Sequence, residues 1–145
     1  MLRKLDMIIL HCADTKPSMD IGVKEIRKWH VEERGWRDIG YHWVIRRDGT
    51  IERGRPESDT GAHCSGYNSR SIGICLVGGM QQNSSKSEDN FLPCQFESLK
   101  KLIADIRDRY PQFKLSIHGH DEFADKECPV FSVSKFLSDY GVNRE

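Results

Sequence analysis

Two short segments of the chain are almost entirely apolar, and both predict strands buried inside a sheet. Residues 7–10 read Met-Ile-Ile-Leu, and residues 71–78 are rich in Ile, Leu and Val and end in a glycine pair. Apolar runs of this length are typical of strands that are covered on both faces. The first run leads directly into His11.

Turn signals and helical spacing predict the remaining elements. Asp48-Gly49 lies between residues 42–46 and 50–53, which predicts a hairpin. Helical spacing or capping residues predict helices over residues 20–34, with Asp20 as the cap and Gly35 as the stop signal, over residues 93–110, and from Ser132 onward. The middle helix carries the clearest apolar stripe, at Phe96, Leu99, Ile103, Ile106 and Tyr110. A short strand is expected around residues 115–118.

The order of these elements predicts a fold that mixes α and β structure. Strands alternate with helices, which favours one sheet covered by helices. The hairpin prevents that sheet from being purely parallel. We therefore expect a single domain over residues 1–145 with a central mixed β-sheet flanked by helices.

Charge and composition exclude several classes of protein. The chain has 145 residues, with 22 Lys+Arg against 22 Asp+Glu. A net charge of zero lacks the basic footprint of a nucleic-acid binder. No apolar stretch approaches the length of a membrane span, and no signal peptide is recognisable at the N-terminus. Five scattered cysteines are odd in number, so we expect free, buried or metal-bound thiols rather than a disulfide framework.

Residues with metal-binding chemistry concentrate at the end of the first strand and in residues 118–129. His11, either His118 or His120, and Cys128 offer two imidazoles and one thiolate, which zinc prefers. Three protein ligands leave a fourth position open, as catalytic zinc sites do. On spacing alone the alternative stays open: His11 is then a core histidine, the other histidines are solvated, and Cys128 is a small buried residue.

Several blocks of the sequence resemble one known family. The matching blocks are residues 9–12, 24–30, 40–42, 47–50, 66–68, 71–79 and 126–129. They resemble the type 2 N-acetylmuramoyl-L-alanine amidases, a family shared with the peptidoglycan recognition proteins, and in particular the amidase-type lysozymes of the T-odd coliphages. The resemblance implies a mixed sheet with a zinc ion at its edge. It also implies hydrolysis of the amide that joins the lactyl group of N-acetylmuramic acid to L-alanine.

The resemblance also assigns roles to individual residues. It implies that His11, His120 and Cys128 hold one Zn²⁺ ion, because the second histidine of the family lies six positions before the lysine at 126. It implies that Tyr41 and Lys126 are catalytic. The Lys126 ammonium would stabilise the oxyanion. Tyr41 would orient the water or donate a hydrogen bond to the tetrahedral intermediate, with direct deprotonation of the water as the alternative. Without the resemblance, Tyr41 is read as a strand aromatic and Lys126 as a solvated lysine.

One further site residue comes from its position in a loop. His63 precedes the second apolar strand, and loops at strand ends commonly line substrate clefts. We therefore expect His63 to bind substrate, against the alternative that it only makes local turn contacts.

Partners and location follow from the same resemblance. We expect a monomer that acts on peptidoglycan or muramyl peptides, with no nucleic acid or membrane as a partner. Because the N-terminal arm is shorter than in the phage lysozymes, we do not expect RNA polymerase binding. The chain would be made in the cytoplasm without a signal peptide and reach the wall through lysis or another export route. The alternative function is a non-catalytic peptidoglycan-recognition or polymerase-regulating protein, and retention of Cys128 favours the enzyme.

Overall fold

The computed structural model describes residues 3–145 and contains one five-stranded mixed sheet. The strands run in the order β3-β2-β4-β1-β5, and only the β2–β3 pair is antiparallel. Their bounds are β1 Met7–Cys12, β2 Trp43–Ile45, β3 Ile51–Arg53, β4 Ser71–Leu76 and β5 Ser116–Gly119. This architecture confirms the predicted mixed sheet and the hairpin at Asp48-Gly49.

In the described part of the chain, three α-helices cover the sheet: α1 (Val23–Lys28), α2 (Pro93–Arg109) and α3 (Val133–Tyr140). The start of α3 is as predicted, because the Ser132 hydroxyl accepts the Lys135 backbone N–H at 3.1 Å. Among residues 3–145, no helix is both long and apolar enough to cross a membrane.

The predicted start of the first helix is wrong. Its N-cap is Gly22, and the Glu25 carboxylate accepts the Gly22 backbone N–H at 2.8 Å. The Asp20 carboxylate is paired with Arg46 at 2.8 Å rather than with the start of the helix. This pairing joins two segments far apart in sequence, and helical spacing carries no information about it.

The helix that begins as α1 does not keep one geometry to its end. It widens into a π-helical turn over Trp29–Glu33, and the chain turns away at Gly35, which has a φ of 72°. Gly35 is therefore the stop that the sequence predicted. π-helical turns are rare and are frequent at functional sites. This one forms a wall of the cleft described below.

The two faces of the sheet carry different cores. Successive residues of a strand point to opposite faces, so Leu10 and His11 lie on different sides of β1. Leu10 and its face pack under α2 and α3, in the larger hydrophobic cluster. Cys12 belongs to that cluster, whereas His11 faces the side that α1 covers. The sheet therefore separates the larger hydrophobic core from the side where His11 lies.

The stability of the fold depends strongly on α2. Leu99 is fully buried between this helix and the sheet. We expect Leu99→Ala to lower the free energy of unfolding by about 2–5 kcal/mol, since it removes buried methyl groups and leaves a cavity. Urea denaturation measures this change. Lys101→Ala, at an exposed position on the same helix, should change stability by no more than about 0.5 kcal/mol, and an equal effect of the two substitutions would contradict the assignment of this core.

Candidate metal centre and catalytic cleft

Parallel pairing of β1 with β5 brings two distant histidines together. Leu10 is paired with Gly119 in the register of these strands, so the next residues, His11 and His120, lie side by side at the same edge. Their ring centroids are 4.7 Å apart. In open sheets of this kind, ligands bind at the carboxyl ends of the parallel strands. The local fold thus explains why residues 109 positions apart share one site.

Cys128 completes a cluster of three potential metal ligands. Its Sγ lies 3.6 Å from Nδ1 of His11 and accepts the backbone N–H of Cys12 at 3.3 Å. One ligand atom from each of His11, His120 and Cys128 lies within 4.8 Å of the other two. The geometry therefore brings together the three residues predicted as ligands.

The donor set and its spacing fit zinc. Tetrahedral bonds of about 2.05 Å to nitrogen and about 2.3 Å to sulfur put the two donor atoms roughly 3.6 Å apart, which agrees with the 3.6 Å between His11 Nδ1 and Cys128 Sγ. Burial lowers the pKa of both His11 and His120. Both rings are therefore neutral at pH 7, as imidazole ligands must be.

The Cys128 thiol is held in its protonated form when no cation is near. A hydrogen bond with the Cys12 side chain, followed by burial, raises the pKa of the Cys128 thiol well above its ordinary value. A coordinating thiol loses its proton to the metal. Metal binding at this site must therefore release a proton from Cys128.

His118 lies outside the cluster and has a different set of partners. Its Nδ1 is 2.9 Å from one Glu122 carboxylate oxygen, and its Nε2 is 2.7 Å from the Ser116 hydroxyl. The other Glu122 oxygen accepts the Gly119 backbone N–H at 2.8 Å. Because β5 ends at Gly119 and a single 3₁₀ turn begins at His120, the two histidines are directed to different places.

A cleft of about 640 Å³ lies in front of the cluster and contains both predicted catalytic residues. Tyr41 lines it, with its ring 5.1 Å from that of His11. Burial, with a smaller effect from the thiols of Cys75 and Cys128, raises the pKa of Tyr41 well above its ordinary value. In the metal-free chain the phenol therefore keeps its proton at neutral pH. Lys126 lines the same cleft from the segment that carries Cys128.

Two cleft residues were not identified from the sequence. His30 and Arg34, from the π-helical turn and the residue after it, line this cleft and a second one of about 380 Å³ that adjoins it. The His30 Nδ1 accepts the Gly40 N–H at 2.9 Å, and burial, followed by Arg34, lowers its pKa to about 4. The sequence offered one signal for a role of His30, namely a histidine on the apolar side of the predicted first helix.

His63 lies behind the cluster. Only 8% of its surface is exposed, and its Nδ1 is 2.8 Å from Nε2 of His11. Its ring also borders the second cleft. Both ring nitrogens of His63 have protein partners. The contact of His63 with substrate stays a prediction.

Comparison with known proteins agrees with this geometry. The family model described as N-acetylmuramoyl-L-alanine amidase matches residues 1–131. The endolysin of Escherichia phage T7 is 47% identical over 131 residues, which covers 90% of this chain and 84% of the endolysin.

Two solved structures share the fold over nearly the whole chain. N-acetylmuramoyl-L-alanine amidase LysC from Clostridium intestinale URNW superimposes with a TM-score of 0.78 at 30% identity, over 97% of this chain and 88% of that one. Drosophila PGRP-LB superimposes with a TM-score of 0.77 at 26% identity, over 98% and 84%. The chain therefore belongs to the N-acetylmuramoyl-L-alanine amidase family and is an enzyme of that class.

Proposed function

We propose that the chain is a zinc-dependent hydrolase that cuts the amide bond between N-acetylmuramic acid and L-alanine in bacterial peptidoglycan. His11, His120 and Cys128 hold one zinc ion, and residues 1–145 act as one catalytic domain. The observation that carries this proposal is the convergence of the three ligand atoms at the wall of a cleft that also contains Tyr41 and Lys126.

Zinc in this site would polarise the amide carbonyl and acidify a water molecule, since two neutral imidazoles and one thiolate leave a formal charge of +1. The chain's own residues then act on the charge that develops. Lys126 is two positions from Cys128 and brings an ammonium to the cleft, where it stabilises the oxyanion. Tyr41 keeps its proton and donates a hydrogen bond to the tetrahedral intermediate.

The form of the cleft supports a peptide-bearing sugar as substrate. Two adjoining hollows, of about 640 and 380 Å³, share Tyr41, His120 and Lys126 on their walls. A substrate that extends on both sides of its scissile bond needs room on both sides of these residues. The walls carry Arg34 and Lys126 beside the acidic residues Asp14, Glu33 and Glu127. The two cationic side chains can pair with the carboxylates of a stem peptide.

A recognition protein on the same fold is the second candidate. It would bind muramyl peptides and need neither metal nor catalytic residues. The complete ligand set, with Cys128 placed 3.6 Å from His11, favours the enzyme. Net charge zero likewise gives no support to a polymerase-regulating role.

A cleavage assay separates these functions. Purified protein is incubated with peptidoglycan or a defined muramyl peptide, and the products are identified by mass spectrometry. We expect release of a stem peptide with an N-terminal L-alanine, loss of activity with a chelator, and recovery when zinc is added back. A zinc-loaded, folded protein that binds muramyl peptide without cutting it would overturn the enzyme and select the recognition protein.

A further inference from the structure

A line of hydrogen bonds leads from the metal cluster into the sheet. His11 Nε2 is 2.8 Å from His63 Nδ1, and His63 Nε2 is 3.3 Å from the Ser71 hydroxyl. The Ser71 hydroxyl in turn donates to the backbone carbonyl of Tyr67 at 2.7 Å. All three side chains are buried, with 1% of His11, 8% of His63 and none of Ser71 exposed.

The end of this line determines where each proton lies. Ser71 has one hydroxyl proton, and the Tyr67 carbonyl takes it at the shorter distance. Toward His63 the Ser71 oxygen is therefore an acceptor, so His63 carries its proton on Nε2. A neutral imidazole has one N–H, so His63 Nδ1 is an acceptor, and His11 must donate from Nε2. The remaining nitrogen of His11, Nδ1, then has a free lone pair, and it is the atom that lies 3.6 Å from Cys128 Sγ.

We propose that His63 is a positioning residue that, through Ser71, fixes His11 in the Nε2–H tautomer and so presents Nδ1 to zinc. This inference rests on the proposed zinc-dependent function and adds a residue that contacts neither metal nor scissile bond. In metal sites, the second nitrogen of a ligating histidine is usually held by a carboxylate, a carbonyl or water. Here a neutral imidazole takes that place, which leaves the +1 charge of the zinc site intact.

The surroundings of His63 are arranged to hold its ring in this position. A Cβ atom on Gly73, in the middle of β4, would lie 2.6 Å from the His63 ring, so the absence of a side chain there makes room for the imidazole. The Asn68 carboxamide oxygen accepts the backbone N–H groups of His63 and Cys64, both at 2.8 Å. Both ring hydrogen bonds of the buried His63 go to side chains without a negative charge, His11 and Ser71, which favours the uncharged imidazole.

Nitrogen NMR of the histidine rings tests the tautomers directly. Long-range ¹H–¹⁵N spectra of the full chain should show His63 and His11 protonated on Nε2 in the metal-free protein. On addition of zinc, Nδ1 of His11 should shift to the range of a metal-bound nitrogen, while its Nε2 stays protonated. A His11 ring protonated on Nδ1, or coordination through Nε2, would overturn the proposal.

The hydrogen-bonded series Ser71–His63–His11 is called the relay below. Variants test whether this relay affects zinc affinity, measured by competition with a chromophoric chelator. We expect His63→Leu to weaken zinc binding by about 10–100-fold. His63→Asn should recover most of that loss, because its Oδ1 occupies nearly the position of Nδ1 and accepts the same proton. Cys64→Ala is the matched control: it removes a neighbouring buried side chain of the same loop, is outside the relay, and should bind zinc like the parent chain.

The outcomes separate this inference from the proposed function. Parent-like zinc affinity in His63→Leu, or equal losses in His63→Leu and Cys64→Ala, would overturn the relay. If His63→Leu does not fold, Ser71→Ala provides the test: it should weaken zinc binding and yield a mixture of His63 tautomers, and a single unchanged tautomer contradicts the proposal. Failure of the parent chain to bind zinc would overturn the proposed function, whereas the tautomers of the metal-free chain would still report on the relay.

Discussion

Cys128→Ser and His120→Ala should each remove most of the zinc and, with it, the amidase activity. Each substitution deletes one of three protein ligands. Mutation of residues that only hydrogen-bond to a ligand typically lowers metal affinity by about 10–100-fold, so we expect a loss of more than about 100-fold here. Elemental analysis after dialysis should give close to one zinc per chain for the parent protein and a small fraction of that for the two variants.

His118→Ala is the matched control for His120→Ala. The two histidines are two positions apart, but His118 is bonded to Glu122 and Ser116 and lies outside the cluster. This variant should keep its zinc. Loss of the metal from His118→Ala together with its retention in His120→Ala would show that the ligand assignment is wrong.

Tyr41→Phe and Lys126→Ala should keep both fold and zinc and yet lose turnover. We expect kcat to fall by about 100-fold or more in each, because each change removes a donor or charge that acts on the developing oxyanion. Tyr41→Phe removes only the hydroxyl, and the raised pKa of this phenol makes it a donor. Single-turnover cleavage of a muramyl peptide, with zinc content measured on the same samples, separates the chemical step from metal loss.

Two further variants test whether loss of a tyrosine hydroxyl or a lysine elsewhere in the chain also lowers turnover. Tyr67→Phe removes the hydroxyl of a tyrosine whose ring stacks on Phe123, with 4.1 Å between centroids. Lys135→Ala removes an exposed lysine paired with Asp139 on α3. Both should turn over like the parent chain, and parent-like turnover in Tyr41→Phe or Lys126→Ala would refute the proposed catalytic roles.

Much of the secondary structure was predictable because it depends on short-range patterns. The apolar run that begins at Met7 needs burial on both faces, so it forms an inner strand. Asp48-Gly49 turns the hairpin, where Gly49 has a φ of 88° and the Asp48 carboxylate accepts the Thr50 N–H. The start of the first helix was mispredicted because the partners at this point are distant in sequence: Asp20 pairs with Arg46, and Glu52 accepts the Val23 N–H.

The candidate site was predictable only in part. The resemblance to a family supplied His11, His120, Cys128, Tyr41 and Lys126, whereas the spacing of these residues alone did not distinguish a metal site from a buried core. The structure brings all five to one cleft. Sequence reasoning missed the contribution of His30 and Arg34, because a change from α- to π-helical geometry has no clear signature in the pattern of residues.

The sequence by itself therefore determined the elements, the mixed sheet and the types of residue available for chemistry, since these follow from periodicity, turn residues and composition. The tertiary structure decided which of those residues meet. The register of β1 against β5 places His11 beside His120, and the turn after Gly119 directs His118 elsewhere. The buried contact of His63 with His11 exists because Gly73 in β4 leaves space for the ring of His63, which comes from the loop before that strand. Such contacts join positions far apart in the chain, and their distances are set by strand pairing and packing rather than by any local preference.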